Sequence, residues 1–542
     1  MLSRWYKSII RPALVLSLGL AFSLPAAAQT GRFGDLADGP YDRLVIRNAM
    51  VIPGHGGPPV GPFDILIEQN RISQMVPFDP VTAERRGDDS RLSGDRIIDA
   101  TGMYLMPGMI DLHTHLRQEP MEIEYPYYLK LAHGVTTLVP AADRGLDSGM
   151  EQAALSAQNE ILAPRLFPIW GWGRNTDFTR AEIEDPAMAP QVAQAMFQQG
   201  AHVVSLGSVT WSDELFGAVA TAVWEAGGIT TIHLPPSTNA VVQAVDAARL
   251  GATMIEHHYG YAESALPSSV QNFPREYNYN NENERFRHAG KVWVDTDKEL
   301  LLSQVADSLV AYGATMLPTR VVYEANRDII RAQSLPWHEK YTHQALIDWN
   351  LPNPAFHGSY HYDWTSDDEY YWYTAFDLWG DLIYEFNKRG GRVAYGTDDN
   401  YIWATPGFSN IRELQLTRET GMHPLEVIKA ATFNSAETLR QPELGLVRPG
   451  YLADLVLVDG NPAYNFRFMY SFGALRLDDN GEMIRTRGIV HTIKDGIVIN
   501  NARLMEEVER MVANSKQGVG PSVLETPFVT RPTRPIGGEG RR

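Results

Sequence analysis

The sequence predicts an α/β protein: a (β/α)8 barrel of the TIM type, with a small sheet assembled beside it from both ends of the chain. Three observations carry this. Strand-like apolar runs alternate with helical patterns through the middle of the chain, as in a parallel sheet built from βα units. Further β-rich runs lie near both ends, outside that alternation. The 542 residues suffice for one large barrel and an accessory unit, and 44% hydrophobic with 21% charged residues is the balance of a globular chain.

Taken in order, residues 1–28 read as a secretory signal. Arg4, Lys7 and Arg11 form a basic start, Ala13–Leu24 an apolar core, and Ala26-Ala27-Ala28 a small-residue cleavage site before Gln29. The apolar core is short of the roughly 20 residues that span a bilayer. The expectation is an exported protein, periplasmic or secreted, with no stable membrane span. Losing this segment removes three positive charges and takes the formal charge from −18 to −21. So acidic a chain is a poor partner for nucleic acid, which basic patches bind. There is no cysteine, so disulfides and thiolate chemistry are excluded, and a metal must be held by histidines and carboxylates.

Residues 29–107 supply short β-rich runs at Asp42–Val51, Phe63–Glu68 and Arg71–Val76, broken by Pro/Gly turns. Leu452–Asp459 and Gly488–Ile499, within 439–505, are their counterparts at the other end. Between them, 108–438 is the barrel. Its first strand follows Pro107-Gly108 and ends in His113-Thr114-His115, and the next seven are read at Gly134–Ala141, Leu166–Trp170, Ala201–Leu206, Ile229–Leu234, Thr253–His257, Thr315–Val322 and Arg392–Thr397. Helices are expected at Gln191–Gln199, Leu215–Ala226 and Ala240–Leu250. Residues 506–542 read as a helix and a flexible tail.

Barrel enzymes place their chemistry at the C-terminal ends of strands. On an extended strand His113 and His115 project to one face, a natural start for a zinc-like site. His233, His257 and Asp398 each fall where a later apolar strand stops. Singly, each is more often a plain loop residue. Their order along one chain is what singles them out.

With these residues in hand, the chain resembles the metal-dependent amidohydrolase superfamily, closest to its imidazolonepropionase-like and Xaa-Pro dipeptidase-like branch. Pro107-Gly-Met-Ile-Asp-Leu-His-Thr-His115, Ile255-Glu-His-His258 and Tyr395-Gly-Thr-Asp-Asp399 are similar to its first, sixth and eighth strand motifs, and Gly445–Asp459 to its return into the terminal sheet. The resemblance implies that the terminal segments form a composite β-sandwich. It also implies a divalent metal, zinc or a similar ion, held by His113, His115, His233 and Asp398. His257 would bond the water or the substrate oxygen, or serve as a ligand of a second ion, and Asp398 would move the proton from water to the leaving nitrogen. One departure matters. Where binuclear members carry a bridging lysine on the fourth strand, Ser205 stands here, so one ion is favoured over two; His202 and Glu214 are the nearest substitutes.

The implied activity is hydrolysis of a C–N bond in a small amide, peptide or cyclic amide by a metal-activated water. The alternatives are a deaminase of a nitrogen heterocycle and a catalytically silent barrel that only binds ligand. Arg320 and Tyr323 are expected to grip a substrate carboxylate, and Asp399 to support its loop. The aromatic-rich segment 337–379 reads as a substrate wall, or as a subdomain packed on itself or on a second copy of the chain. Residues 271–290 read as a polar loop after the sixth strand.

Overall fold

The computed structural model describes residues 32–86, 91–116, 120–206, 211–234, 242–266, 277–278, 281–353, 360–361, 363–478 and 480–518. The expected leader, the tail beyond 518 and most of 271–280 lie outside the described residues, while 282–290, expected as part of a polar loop, belongs instead to the helix Glu282–Asp295, which Asn281 caps through its side chain. Among those described, no helix is long and apolar enough to cross a membrane.

The two chain ends meet in one nine-stranded sheet. Its order is Ala37–Asp38, Ile497–Asn500, Ile489–Lys494, Leu455–Val458, Tyr104–Pro107, Arg43–Val51, Val60–Glu68 and Arg71–Pro77, and Arg96–Asp99 also pairs with Arg43–Val51. Leu44, Ile46, Ile65, Ile67, Leu105, Leu455, Leu457 and Ile493 bury a common apolar layer, separate from the rest of the core. That burial is what joins segments some 350 residues apart in sequence.

The fold beside it is TIM-barrel-like, its strands parallel and in chain order. Met109–Thr114, Val135–Pro140 and Arg165–Leu166 form a three-stranded sheet, and Ile169–Gly171, Val203–Ser205, Ile229–Ile232, Met254–Glu256, Thr315–Leu317 and Arg392–Val393 a six-stranded one. The expected third strand is therefore split. Pro168, which has no N–H to donate, falls at the break. At the other edge, Leu112 N donates to Tyr395 O at 2.9 Å and Asp398 N to His113 O at 2.8 Å. Inside, Ile110, Leu112, Val139, Ile169, Val203, Ile229, Met254, Leu317 and Ala394 pack together, drawn from all eight expected strands.

Two strands end sooner than their sequence suggests. The seventh stops at Leu317, because Pro318 has no N–H and Thr319 is left-handed (φ 50°), after which 320–323 coil into a short helix. The eighth is regular only over Arg392–Val393. Helices run Ala189–Gln198, Asp213–Glu225 and Ala244–Arg249, close to expectation. The aromatic segment contributes a 23-residue helix, Ser366–Lys388, started by a Thr365/Asp368 capping box and packed on Glu282–Asp295, where Trp372 Nε1 donates to Phe286 O at 2.7 Å. Its tryptophans Trp372 and Trp379 are buried as core.

Candidate metal centre

The strand ends converge on a cavity of about 270 Å³, lined by His113, His115, His233, Glu256, His257 and Asp398, with Ser205, Thr231, Phe286, Tyr323 and Tyr401 among the walls. Three of the expected residues meet directly. His113 Nε2 lies 3.3 Å and His115 Nε2 3.0 Å from Asp398 Oδ1. A second triad, His113, Glu256 and His257, shares His113, and within each triad the donor atoms lie within 4.8 Å of one another. The imidazoles form an arc, with ring centroids 5.5 Å apart from His115 to His113, 5.0 Å to His257 and 4.7 Å on to His233. His233 belongs to neither triad and opens toward the cavity.

Three of the four rings have a polar group close behind them. His115 Nδ1 lies 2.8 Å from Asp143 Oδ2, which fixes the nitrogen that carries the hydrogen and leaves Nε2 facing Asp398. His257 Nδ1 bonds Thr319 Oγ1 at 2.8 Å and lies 3.6 Å from Asp398 Oδ2. His113 Nδ1 lies 2.9 Å from Glu256 Oε1, and Glu256 in turn accepts from the Thr231 hydroxyl. The backbone is strained here: His257, Thr319, Asp398, Asn400 and Ile402 all have positive φ, and β-branched Thr319 and Ile402 are rarely found there.

Protonation follows these pairings. Burial opposes charge on Asp398, but His257 and the hydrogen bonds from His113 and His115 hold it well below the usual carboxylate range. Burial likewise opposes charge on Glu256, yet His113 holds it at about 2. Burial pushes His257 down to about 4 and, with His257 beside it, His233 lower than usual. Against burial, Asp143 lifts His115 to about 9. Ionised carboxylates set among imidazoles are the donor chemistry of a zinc-type divalent ion rather than of calcium or magnesium, so the residues fit such a group.

The remaining expectations divide. Tyr323 lines the cavity, its ring 5.8 Å from that of His257. Arg320 does not. Its guanidinium packs over Phe376 at 4.0 Å, bonds Phe376 O at 3.1 Å, and is pushed by burial down to about 10. His202 bonds Leu439 O instead of facing the cavity, and Glu214 is exposed on its helix, so neither replaces the lysine absent at Ser205. Asp399 is buried and accepts from Thr114 Oγ1 and Lys130 Nζ, both at 2.6 Å, a supporting role. Asp143 and Glu256 were missed. Alternation along Met254–Glu256 turns Glu256 away from any face that His257 occupies, but the left-handed turn at His257 brings both into the cavity.

Comparison with known proteins agrees with this geometry. Residues 383–499 match the Amidohydrolase family. An adenine deaminase from Lysinibacillus sphaericus (strain C3-41) is 34% identical over 106 residues, 19% of this chain and 18% of that protein. An N-acyl-D-aspartate deacylase from Alcaligenes xylosoxydans xylosoxydans is 26% identical over 249 residues, 38% of this chain and 46% of that protein. This chain thus spans less than half the length of either relative. A solved Xaa-Pro dipeptidase with bound methionine shares the fold at TM-score 0.54 and 18% identity, over 84% of this chain and 100% of that one. Residues 383–499 thus carry the match to the Amidohydrolase family, and the chain shares the fold of the solved dipeptidase over most of its length.

Proposed function

We propose that the protein is an exported hydrolase that cleaves the C–N bond of a small amide, peptide or cyclic amide with a metal-activated water. One observation carries this reading: two histidine Nε2 atoms converge on one oxygen of Asp398 inside a buried, carboxylate-backed cavity. A bound divalent ion would supply a Lewis acid and lower the pKa of a water toward 7. Its holders would be His113, His115 and Asp398, with His233 at the edge of the arc.

The protein's own groups do the rest. Asp398, ionised and next to both histidines, takes the proton of the attacking water and passes it to the departing nitrogen. His257, kept neutral by burial and fixed by Thr319, offers its ring to the substrate oxygen. Phe286 and Tyr323 limit water in the cavity, whose 270 Å³ suits a small-molecule substrate. We favour one ion because Ser205 provides no bridge. The same reading takes residues 1–28 as the export signal, the two parallel sheets as one closed barrel, and the terminal sheet as the superfamily's composite sandwich.

Asp398→Asn tests it. The variant should keep its fold by circular dichroism while turnover of an amide panel falls by about 10²–10⁴-fold or more; undiminished turnover would overturn the assignment. The likeness to adenine deaminase favours a second reading, deamination of a nitrogen heterocycle on the same centre. Ammonia release from an aminopurine, with every amide left intact, would select it.

A further inference from the structure

The strands Leu475–Leu477 and Met483–Arg485 form a ribbon that, among the described residues, pairs only with itself and joins neither the terminal sheet nor the barrel. Its root is cinched. Thr486 N donates to Ala474 O at 2.9 Å and Ala474 N to Thr486 Oγ1 at 3.0 Å, and a Cβ at Gly473 would collide with Thr486 O. A two-stranded ribbon is marginal in water on its own. This one nevertheless turns Leu475, Leu477 and Met483 to one face, 58%, 65% and 72% exposed, with Leu477 directly opposite Met483.

The outer edge of Leu475–Leu477 is open. Asp478 N donates to Glu482 O at 2.9 Å and Thr486 N to Ala474 O, so the even-numbered positions bond across the ribbon. Leu475 and Leu477 therefore point their N–H and C=O groups outward. Proteins blunt such edges with proline, lysine or a bulge, and none interrupts 475–485. Between the two leucines stands Arg476, exposed, its guanidinium without a hydrogen bond or salt bridge among the described residues. Two positions on, Asp478 fixes the turn by accepting from Asn480 N at 2.9 Å and Glu482 N at 2.8 Å. The Glu482 N–H, with a smaller pull from Arg476, holds its carboxyl below the usual range, so it is ionised.

We infer that this edge is a two-fold contact between copies of the chain, joining two ribbons into one four-stranded antiparallel sheet about Leu477. The spacing of charge is self-complementary. With Leu477 opposite Leu477 of the other copy, Arg476 of each copy faces Asp478 of the other, and the two leucines exchange both backbone bonds. Centring on Arg476 would instead set two arginines opposite each other. The apolar side chains then share one face and both ion pairs the other. A lipid surface fits less well, because the turn that would enter it carries Asp478 and Glu482. The contact is small, in the size class of transient interfaces, so self-association is expected at about 1–100 µM.

The absence of cysteine makes the register directly readable. Opposed residues of a hydrogen-bonded antiparallel pair stand about 5.5 Å apart at Cα, within disulfide reach. Under mild oxidation of the full chain, Leu477→Cys should give a covalent dimer, and Met483→Cys, on the far strand, about tenfold less or below. Light scattering of the wild type should show a dimer that dissociates on dilution through about 100 to 1 µM. Arg476→Glu should abolish it and Arg476→Lys keep it, with the far-UV spectrum of both unchanged. A wild type that stays monomeric at about 100 µM, a dimer unaffected by Arg476→Glu, or equal cross-linking through Met483→Cys and Leu477→Cys would overturn the contact. So would a monomer that binds phosphatidylglycerol vesicles and is released by Leu477→Lys, since the ribbon would then be a membrane probe.

Discussion

A ring that offers Nε2 to a metal keeps a hydrogen on Nδ1, and what accepts that hydrogen sets how the ring stands. His115 has Asp143 for this purpose, and His113 has the Glu256 carboxylate beside its Nδ1. Asp143→Ala should therefore weaken metal affinity about 10–100-fold, read by chelator competition, with the far-UV spectrum unchanged. Unaltered affinity would reduce Asp143 to a rim residue. At this scale the sequence was partly legible. His113, His115 and Asp398 could be read because an extended strand alternates and an apolar run stops visibly. Glu256 could not, because the positive φ at His257 breaks the alternation on which such reading depends. Arg320 was misread for a related reason: position after a strand was visible, but the turn at Thr319 that sends the side chain toward Phe376 was not.

Among elements, the helix Glu124–Ala132 reaches under the centre with a single side chain. Lys130 is fully buried, its Nζ 2.7 Å from Asp111 and 2.6 Å from Asp399, with Thr397 Oγ1 at 3.1 Å. Asp111 also accepts from Asn410 Nδ2 at 2.9 Å, and Asp399 from Ser409 Oγ at 2.6 Å. The first strand, the eighth-strand end and two helices are thus tied through one cation, directly beneath His113 and Asp398. Lys130→Met leaves two buried carboxylates uncompensated and should cost about 3–5 kcal/mol in urea unfolding. A cost below about 1 kcal/mol would show that the surrounding hydroxyls and amides carry the carboxylates alone. No local pattern announces this. A lysine on a mostly apolar helix reads as a solvated position, and its partners are 19 and 269 residues away. Strand order, in contrast, was legible throughout, because apolar runs and turn residues are local properties. What stayed hidden was where ladders stop, as at Pro168 and Pro318, since that depends on which neighbour needs the missing N–H.

For the whole molecule, burial of titratable groups outside the centre sets an acid limit. His338 is held neutral, pushed by burial to about 4, with its ring bonded to Thr342 Oγ1 and Ala332 O. Its folded value lies below the unfolded one near 6.5, so the folded state binds fewer protons there. The stability this confers is present above pH 6.5 and lost as the pH falls to 4. Wild type should therefore lose about 3 kcal/mol relative to His338→Gln across that window in denaturant titrations. Glu263 and Glu413, raised by burial to about 7, act in the opposite direction but equally in both proteins, so they cancel in the difference. A difference independent of pH would show that His338 titrates normally.

The most direct test of a metal-dependent hydrolase is the metal content of the purified chain, by elemental analysis beside His113→Ala, which removes the residue common to both triads. About one equivalent of a divalent ion per wild-type chain is expected, with its loss in the variant. No bound metal after reconstitution with zinc or manganese would contradict it.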